Sequence, residues 1–165
     1  MLAFVTATGA SAANPLDGLI AFDDPYRCMV GKDFAAMLSG AIRWENDGQI
    51  YKGEINTPPV PVSFRDQVGS PTLVINGNEY QATIPLRGTW QGLSLRSLVV
   101  LEWIESENGF YLVFDAPPET VRHAANKAGF QIPPSGSEYR DDEIIGVTVG
   151  VTEFQGSGAL YCING

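Results

Sequence analysis

The histidine of this sequence does not stand in a recognisable catalytic motif. His123 is the only histidine in 165 residues, and it lies between Arg122 and Lys127 in a segment with helical spacing. Neighbouring positive charge disfavours protonation of an imidazole, so His123 is a poor general base. The sequence contains no Gly-x-Ser-x-Gly nucleophile elbow. A Ser-His-Asp mechanism is therefore not predicted.

Paired carboxylates are the one catalytic chemistry that the sequence leaves open. They occur in three short acidic segments, at residues 23–24, 105–107 and 141–143. A glycoside hydrolase needs two carboxyl groups across one cleft, one of them kept protonated by an apolar setting. Because these segments are predicted turns, where carboxylates are hydrated, no catalytic residue is assigned. A carboxylate-dependent hydrolase of cell-envelope polymers is the alternative function.

Neither a metal site nor a nucleotide site is predicted. Two cysteines and one histidine fall short of the usual zinc ligand set. Residues 138–143 lack the Asp-x-Asp-x-Asp-Gly order of a calcium loop. Residues 31–33, Gly-Lys-Asp, lack the glycine spacing and the Ser or Thr of a phosphate-binding loop. No cofactor is expected.

The segment 131–143, QIPPSGSEYRDDE, is the candidate binding loop. It contains Ser135, Tyr139 and Arg140, and Tyr and Arg are residue types enriched at interface hot spots. Its two consecutive prolines would stiffen the loop and lower the ordering cost of binding. A hydrated connector between a helix and a strand is the alternative interpretation.

Trp90 is the second candidate contact residue. It stands between Gly88 and Gly92 and is a candidate for a binding role similar to that of the loop. A tryptophan packed in the core is the alternative, since large aromatic side chains also dominate core energetics.

Residues 135–139, Ser-Gly-Ser-Glu-Tyr, resemble the Ser-Gly-x-x-Tyr motif of bacterial membrane-bound or periplasmic inhibitors of C-type lysozyme. Members of that family are small exported β-barrel proteins, and the loop that carries the motif enters the lysozyme cleft. The resemblance therefore implies an inhibitory role for Ser135 and Tyr139. It covers five residues, and the helix predicted at residues 117–129 departs from an all-β barrel.

Residues 1–12, MLAFVTATGASA, are similar to the end of an export signal. They are uncharged, contain a short apolar run and end in the small residues Ala10-Ser11-Ala12. No basic residue precedes Arg27, so an ordinary first β-strand is the alternative interpretation. We expect a periplasmic or extracellular protein with a signal-peptide remnant at residues 1–12 and one α+β domain at residues 13–165.

The two cysteines, Cys28 and Cys162, stand near opposite ends of the chain. Cytosolic thiols usually stay reduced, whereas an exported pair is free to form a bridge. We therefore expect a disulfide if the protein is exported, and two separate buried thiols otherwise.

The charge of the chain limits its partners. Nineteen acidic and ten basic residues give a net charge of −9 at pH 7, which disfavours nucleic acid as a partner. A basic protein or a cationic ligand would suit this field, and so would no partner at all, because negative charge by itself aids solubility. No apolar run approaches the ~20 residues of a transmembrane helix.

These observations favour an exported, non-catalytic binding or inhibitory module that recognises a protein or a small ligand. A structural subunit of an envelope assembly is a further alternative, which a large exposed apolar patch would indicate.

Hydrophobic periodicity predicts an α+β fold. Spacing of i, i+3, i+4 and i+7 marks short helices at residues 33–41 and 117–129. The turn sequences at residues 46–48 and 76–78 indicate β-hairpins. We expect an antiparallel-rich twisted sheet of about seven to nine strands, with two short helices packed on one face. Its centre is predicted at the two segments that are apolar on both faces, residues 98–101 and 110–114.

Overall fold

The computed structural model describes residues 14–46, 48, 51–104, 107–141 and 146–165. The export signal predicted at residues 1–12 lies outside the described residues. So do three of the acidic positions singled out above, Glu105, Asp142 and Glu143.

Strands make up most of the regular structure within these ranges. In chain order the elements are β1 (Phe22–Asp24), β2 (Met29–Val30), α1 (Lys32–Gly40), β3 (Ile42–Asn46), β4 (Tyr51–Ile55), a 3-10 helix (Val62–Gln67), β5 (Thr72–Asn76), β6 (Glu79–Trp90), β7 (Leu93–Trp103), β8 (Asn108–Phe114), α2 (Pro118–Lys127), β9 (Ser137–Arg140), β10 (Val147–Phe154) and β11 (Ser157–Asn164).

The main sheet contains seven strands in the order β5-β6-β7-β8-β11-β10-β9. Every neighbouring pair in it is antiparallel. The pairs β1–β2 and β3–β4 form two further small sheets. The prediction of a mostly antiparallel sheet with few helices is confirmed. β8 is the central strand, and its residues Phe110, Leu112, Val113 and Phe114 are buried, which agrees with its apolar sequence.

Local sequence accounts for the helix ends and for the hairpin between β5 and β6. Pro118 begins α2, where its missing N–H group has no helical partner to lose. Gly129 follows α2 with φ +106°, a left-handed conformation that most other residues avoid. Gly77 has φ +61° at the first central position of a two-residue turn, as a type II′ hairpin turn requires.

The hydrophobic core lies on one face of the main sheet. The buried side chains of both helices, among them Phe34, Met37, Val121 and Ala125, belong to one cluster with the inward side chains of the strands. Burying each large apolar side chain of this kind contributes about 1.5–3 kcal/mol. The strand members of the cluster include Tyr80, Ala82, Ile84, Leu86, Leu98, Val100, Phe110, Leu112, Phe114, Val147, Val149 and Leu160.

A second, smaller cluster lies on the opposite face of the sheet. Its buried members are Val99, Leu101, Val113 and Ala159, and Trp103, Tyr111 and Phe154 pack against them. All seven belong to strands of the main sheet, and in the described part of the chain no helix residue packs against this cluster. We call this side of the sheet the open face.

The prediction of a loop over residues 131–143 is wrong for residues 137–140. Residues 137–140 form β9, the edge strand, which pairs with Val147–Gly150 of β10. Three of the four β9 residues are exposed, so the strand lacks the apolar alternation that identifies strands in sequence. Pairing with β10 overrides the weak β-propensity of Ser and Glu.

The predicted disulfide is present. Cys28 and Cys162 are bonded, with their Cα atoms 6.2 Å apart, so the bridge joins the turn before β2 to β11. No described helix is long and apolar enough to cross a membrane.

Candidate functional site

Three tyrosines converge on the open face, and the strand register explains how. Tyr139 of β9 pairs with Thr148 of β10, and Thr148 pairs with Ile163 of β11. Paired residues of antiparallel strands lie on the same face. Tyr139, Thr148 and Ile163 therefore form one row of side chains across the open face, from the edge of the sheet towards its centre.

The adjacent row contains the other two tyrosines. Gly150 of β10 pairs with Tyr161 of β11, and Tyr161 pairs with Tyr111 of β8. The ring centroids of Tyr111 and Tyr161 are 5.6 Å apart, and the Tyr111 ring stacks on Phe154 at 5.0 Å. A Cβ atom on Gly150 would lie 2.6 Å from the Tyr161 hydroxyl oxygen, so only glycine leaves room for this ring.

A shallow cavity of about 540 Å³ lies over these two rows. We call its lining the tyrosine surface. Among the lining residues the one charged side chain is Glu107, which is exposed. The lining consists of Glu107, Tyr111, Tyr139, Thr148, Thr152, Tyr161, Ile163 and Gly165.

The electrostatic environment of the tyrosine surface is negative. Burial raises the pKa of Tyr111, and the neighbouring Tyr161 and Glu79 raise it further. The Tyr111 phenol therefore keeps its proton, and its O–H group can donate a hydrogen bond to a ligand. Glu79 and Glu107 together make the surface attractive to a cation.

Tyr139 is the most accessible of the three tyrosines, with 62 % of its surface exposed. Its ring lies over the backbone of Gly146, just before β10, and a Cβ atom at that position would overlap the ring. The ring thus rests on a glycine at the sheet edge with most of its area facing solvent. An exposed aromatic ring in a fixed position loses little conformational freedom on binding.

Arg140 points away from the tyrosine surface, because consecutive residues of a strand face opposite sides of the sheet. It is only 5 % exposed. Its guanidinium donates to the carbonyl oxygens of Tyr26, Phe130 (2.7 Å) and Gln131 (3.1 Å), and to a carboxylate oxygen of Glu138 (3.0 Å). Arg140 is therefore an anchor of β9, and its predicted role as a contact residue does not fit this burial.

Trp90 and Ser135 also lie apart from the three tyrosines. Trp90 is 2 % exposed, and its Nε1 donates to the carbonyl oxygen of Ile20 (2.9 Å), so the core alternative describes it. Ser135 is exposed in the turn before β9, where its hydroxyl donates to the carbonyl oxygen of Ser137 (3.3 Å). Of the candidate binding residues, Tyr139 alone lines the tyrosine surface.

Sequence reasoning missed Tyr111 and Tyr161, and it considered Glu107 only as a member of a carboxylate pair. Tyr111 stands between Phe110 and Leu112 in a segment that is apolar throughout, so the sequence does not reveal which residues face the open side. The tyrosine hydroxyl groups were the available sequence signal for a functional surface. A tyrosine in an otherwise apolar strand must direct its O–H group to water or to a hydrogen-bond partner.

The larger cavity, of about 600 Å³ near the 3-10 helix, bears on the hydrolase alternative. Its lining includes Asp66 and Asp115. Arg96 donates to one Asp115 oxygen from Nε (3.0 Å) and from Nη2 (2.7 Å). A carboxylate paired with an arginine is not in the apolar setting that a general acid needs. This cavity therefore gives no support to the paired-carboxylate chemistry.

The described residues also contain no group of three His, Cys, Asp or Glu side chains arranged to hold a metal ion.

Comparison of the chain with protein-family models, with curated proteins and with solved structures found no match. The tyrosine surface and the disulfide are the two structural features that bear on function.

Proposed function

We propose that this protein is an exported, non-catalytic binding module whose partner is a basic protein held on the tyrosine surface. The observation that supports this most directly is the position of Tyr139. It belongs to the Ser-Gly-x-x-Tyr segment, and it lines one cavity together with Tyr111 and Tyr161, beside Glu107. The segment with the inhibitor-like sequence and the aromatic cavity are parts of one surface.

The chemistry of this surface suits lysine and arginine side chains. A cation over the face of an exposed tyrosine ring gains about 0.5–1 kcal/mol, and more when water is excluded. The protein already contains one such contact, because the Arg140 guanidinium lies 4.0 Å from the centre of the Tyr26 ring. On the tyrosine surface the rings have no such partner among the lining residues, which include no lysine or arginine.

The overall charge supports the same class of partner. The chain carries a net charge of −9, Glu107 lines the tyrosine surface, and Glu79 is near enough to raise the pKa of Tyr111. Complementary charge accelerates the encounter between proteins more than it tightens the complex. We therefore expect fast association that slows as salt is added.

The disulfide supports the exported part of the proposal. Bridges form and persist in oxidising compartments and are rare among cytosolic proteins. The Cys28–Cys162 bridge joins segments separated by 134 positions, so it constrains most of the chain. A protein that functions in the periplasm or outside the cell gains from such a constraint.

Calorimetric titration with purified C-type lysozyme, a basic protein, tests the proposal. The unaltered chain should bind lysozyme and inhibit its action on cell walls. Tyr139→Ala should weaken binding at least about tenfold, which is about 1.4 kcal/mol. Glu107→Gln should weaken it less and should reduce its salt dependence. Glu45→Gln is the matched control, because Glu45 is an exposed carboxylate of β3, outside the tyrosine surface.

Three results would contradict the proposal in different ways. If lysozyme binds equally well to the Tyr139→Ala and unaltered chains, the tyrosine surface is not the binding site. If neither lysozyme nor cytochrome c, a second basic protein, binds even at low salt, the partner is not a basic protein. Binding of both proteins with equal strength would indicate recognition by charge alone and would remove the inhibitory role.

Gly146→Ala provides an independent test of the geometry. The added Cβ overlaps the Tyr139 ring, so the ring must leave its position while every tyrosine side chain is retained. Lysozyme binding should weaken as in Tyr139→Ala. If it does not weaken, the fixed position of this ring is irrelevant to binding.

A further inference from the structure

No described strand is hydrogen-bonded to the outer edge of β5, although β4 lies close to β5. β5 is the terminal strand of the main sheet on the side opposite β9. Val74 is 52 % exposed and Ile75 is 49 % exposed. Natural proteins usually protect such edges with lysine, proline or a bulge inside the strand. β5 contains none of these, and no charged residue occurs between Asp66 and Glu79.

The hairpin turn determines which backbone groups face outward. Asn76 and Glu79 flank the two-residue turn, so they form a hydrogen-bonded pair between β5 and β6. Because hydrogen-bonding direction alternates along a strand, Leu73 and Ile75 direct their N–H and C=O groups away from β6. In the described part of the chain, no loop backbone group forms a hydrogen bond with either residue.

We propose that two copies of this protein pair through β5, antiparallel about a two-fold axis at Val74. In this register Val74 lies opposite Val74 of the second copy, and Leu73 lies opposite its Ile75. The outward N–H and C=O groups of Leu73 and Ile75 then form hydrogen bonds in both directions. The two seven-stranded sheets become one continuous sheet, and the exposed apolar side chains gain partners. This inference is independent of the proposed function.

The charge distribution favours a second copy of the chain as the occupant of this edge. Each copy carries a net charge of −9, so two copies repel one another over most orientations. The uncharged segment from residue 67 to residue 78 is a place where they can approach without opposing carboxylates. The sequence Leu73-Val74-Ile75 is apolar at its centre and on both sides of it. Two copies related by a two-fold axis at Val74 therefore place apolar side chains opposite apolar side chains. A contact this small predicts a weak dimer that depends on concentration.

Sedimentation velocity over a wide range of concentrations tests the pairing. The unaltered chain should change reversibly from monomer to dimer as its concentration rises. Val74→Lys should raise the dimer dissociation constant at least about tenfold, because it places two ammonium groups opposite one another. Val62→Lys is the matched control, since Val62 is 73 % exposed on the 3-10 helix. A chain that is monomeric at every concentration would overturn the proposal, and so would equal weakening by the two variants.

Cross-linking tests the register. Residues opposite one another in a non-hydrogen-bonded pair have Cα atoms about 4.5 Å apart, within the range of a disulfide. Val74→Cys should therefore form a covalent dimer under oxidising conditions. In Thr72→Cys the two new cysteines would be four positions out of register, about 13 Å apart, and should not cross-link. Equal cross-linking of both variants, or of neither, would contradict pairing centred on Val74.

Discussion

Replacing Arg140 with glutamine should destabilise the protein strongly, although Arg140 belongs to a short edge strand. The guanidinium is 5 % exposed and donates to the carbonyl oxygens of Tyr26, Phe130 and Gln131. It also forms an ion pair with Glu138 at 3.0 Å and lies 4.0 Å from the centre of the Tyr26 ring. One side chain thus joins β9 to two other segments of the chain.

The size of the effect follows from these contacts. Removing one partner of a buried charged interaction costs about 3–5 kcal/mol, because the remaining polar groups lose their partners without regaining water. A glutamine amide can satisfy one of the three carbonyl groups, so we expect the lower end, about 3 kcal/mol. For a chain of this size 1 kcal/mol corresponds to about 2–4 °C, so the melting temperature should fall by about 10 °C.

Urea and thermal denaturation, followed by circular dichroism, measure this cost. Arg96→Gln is the control, because Arg96 forms an ion pair with Asp115 at 2.7 Å while both side chains are about half exposed. An exposed pair of this kind contributes at most about 1 kcal/mol. If the two substitutions cost the same, Arg140 does not anchor β9 and the reasoning is refuted.

Three further substitutions test other parts of the structure. Removing the Cys28–Cys162 bridge by double substitution with alanine should cost about 4–5 kcal/mol in the chain-entropy model, measured by urea denaturation against the oxidised protein. Trp90→Phe leaves a core carbonyl group without its donor and should cost about 2–3 kcal/mol in the same assay, with lysozyme binding unchanged in native conditions. Burial raises the pKa of Glu102 more than the hydrogen bond from Trp44 lowers it. The folded state therefore binds this proton more tightly than the unfolded state, and stability declines as the pH rises from the ordinary value of 4.5 through the raised value. Glu102→Gln should remove that decline and stabilise the protein at neutral pH by up to about 1 kcal/mol, a gain that should vanish at acidic pH in thermal denaturation.

Much of the local structure could be predicted because neighbouring residues determine it. The helix at residues 117–129 was predicted from its prolines, its apolar spacing and Gly129, and α2 occupies Pro118–Lys127. The hairpins followed from their turn sequences, which restrict the backbone whatever the rest of the chain does. The disulfide followed from expected export and from the number of cysteines, although its geometry depends on the whole fold.

The contrast between Tyr139 and Arg140 shows where sequence reasoning ended. Both residues were predicted as contacts in one loop, yet one is 62 % exposed and the other is 5 % exposed. Pairing of β9 with β10 sends adjacent side chains to opposite faces, and no local signal in residues 137–140 predicts that pairing. The energy of strand pairing depends on the partner strand and on the neighbours on each face, which residues 137–140 do not contain.

Composition, turn residues and hydrophobic period determined the fold class, the hairpins and the charge of this protein, because each acts over a few residues or over the whole chain at once. The tertiary structure alone decided that Tyr111, Tyr139 and Tyr161 share one surface. They come from three strands, and their meeting depends on the order and register of the sheet. That order is set by which faces can be buried together, a property that no single segment of the sequence contains.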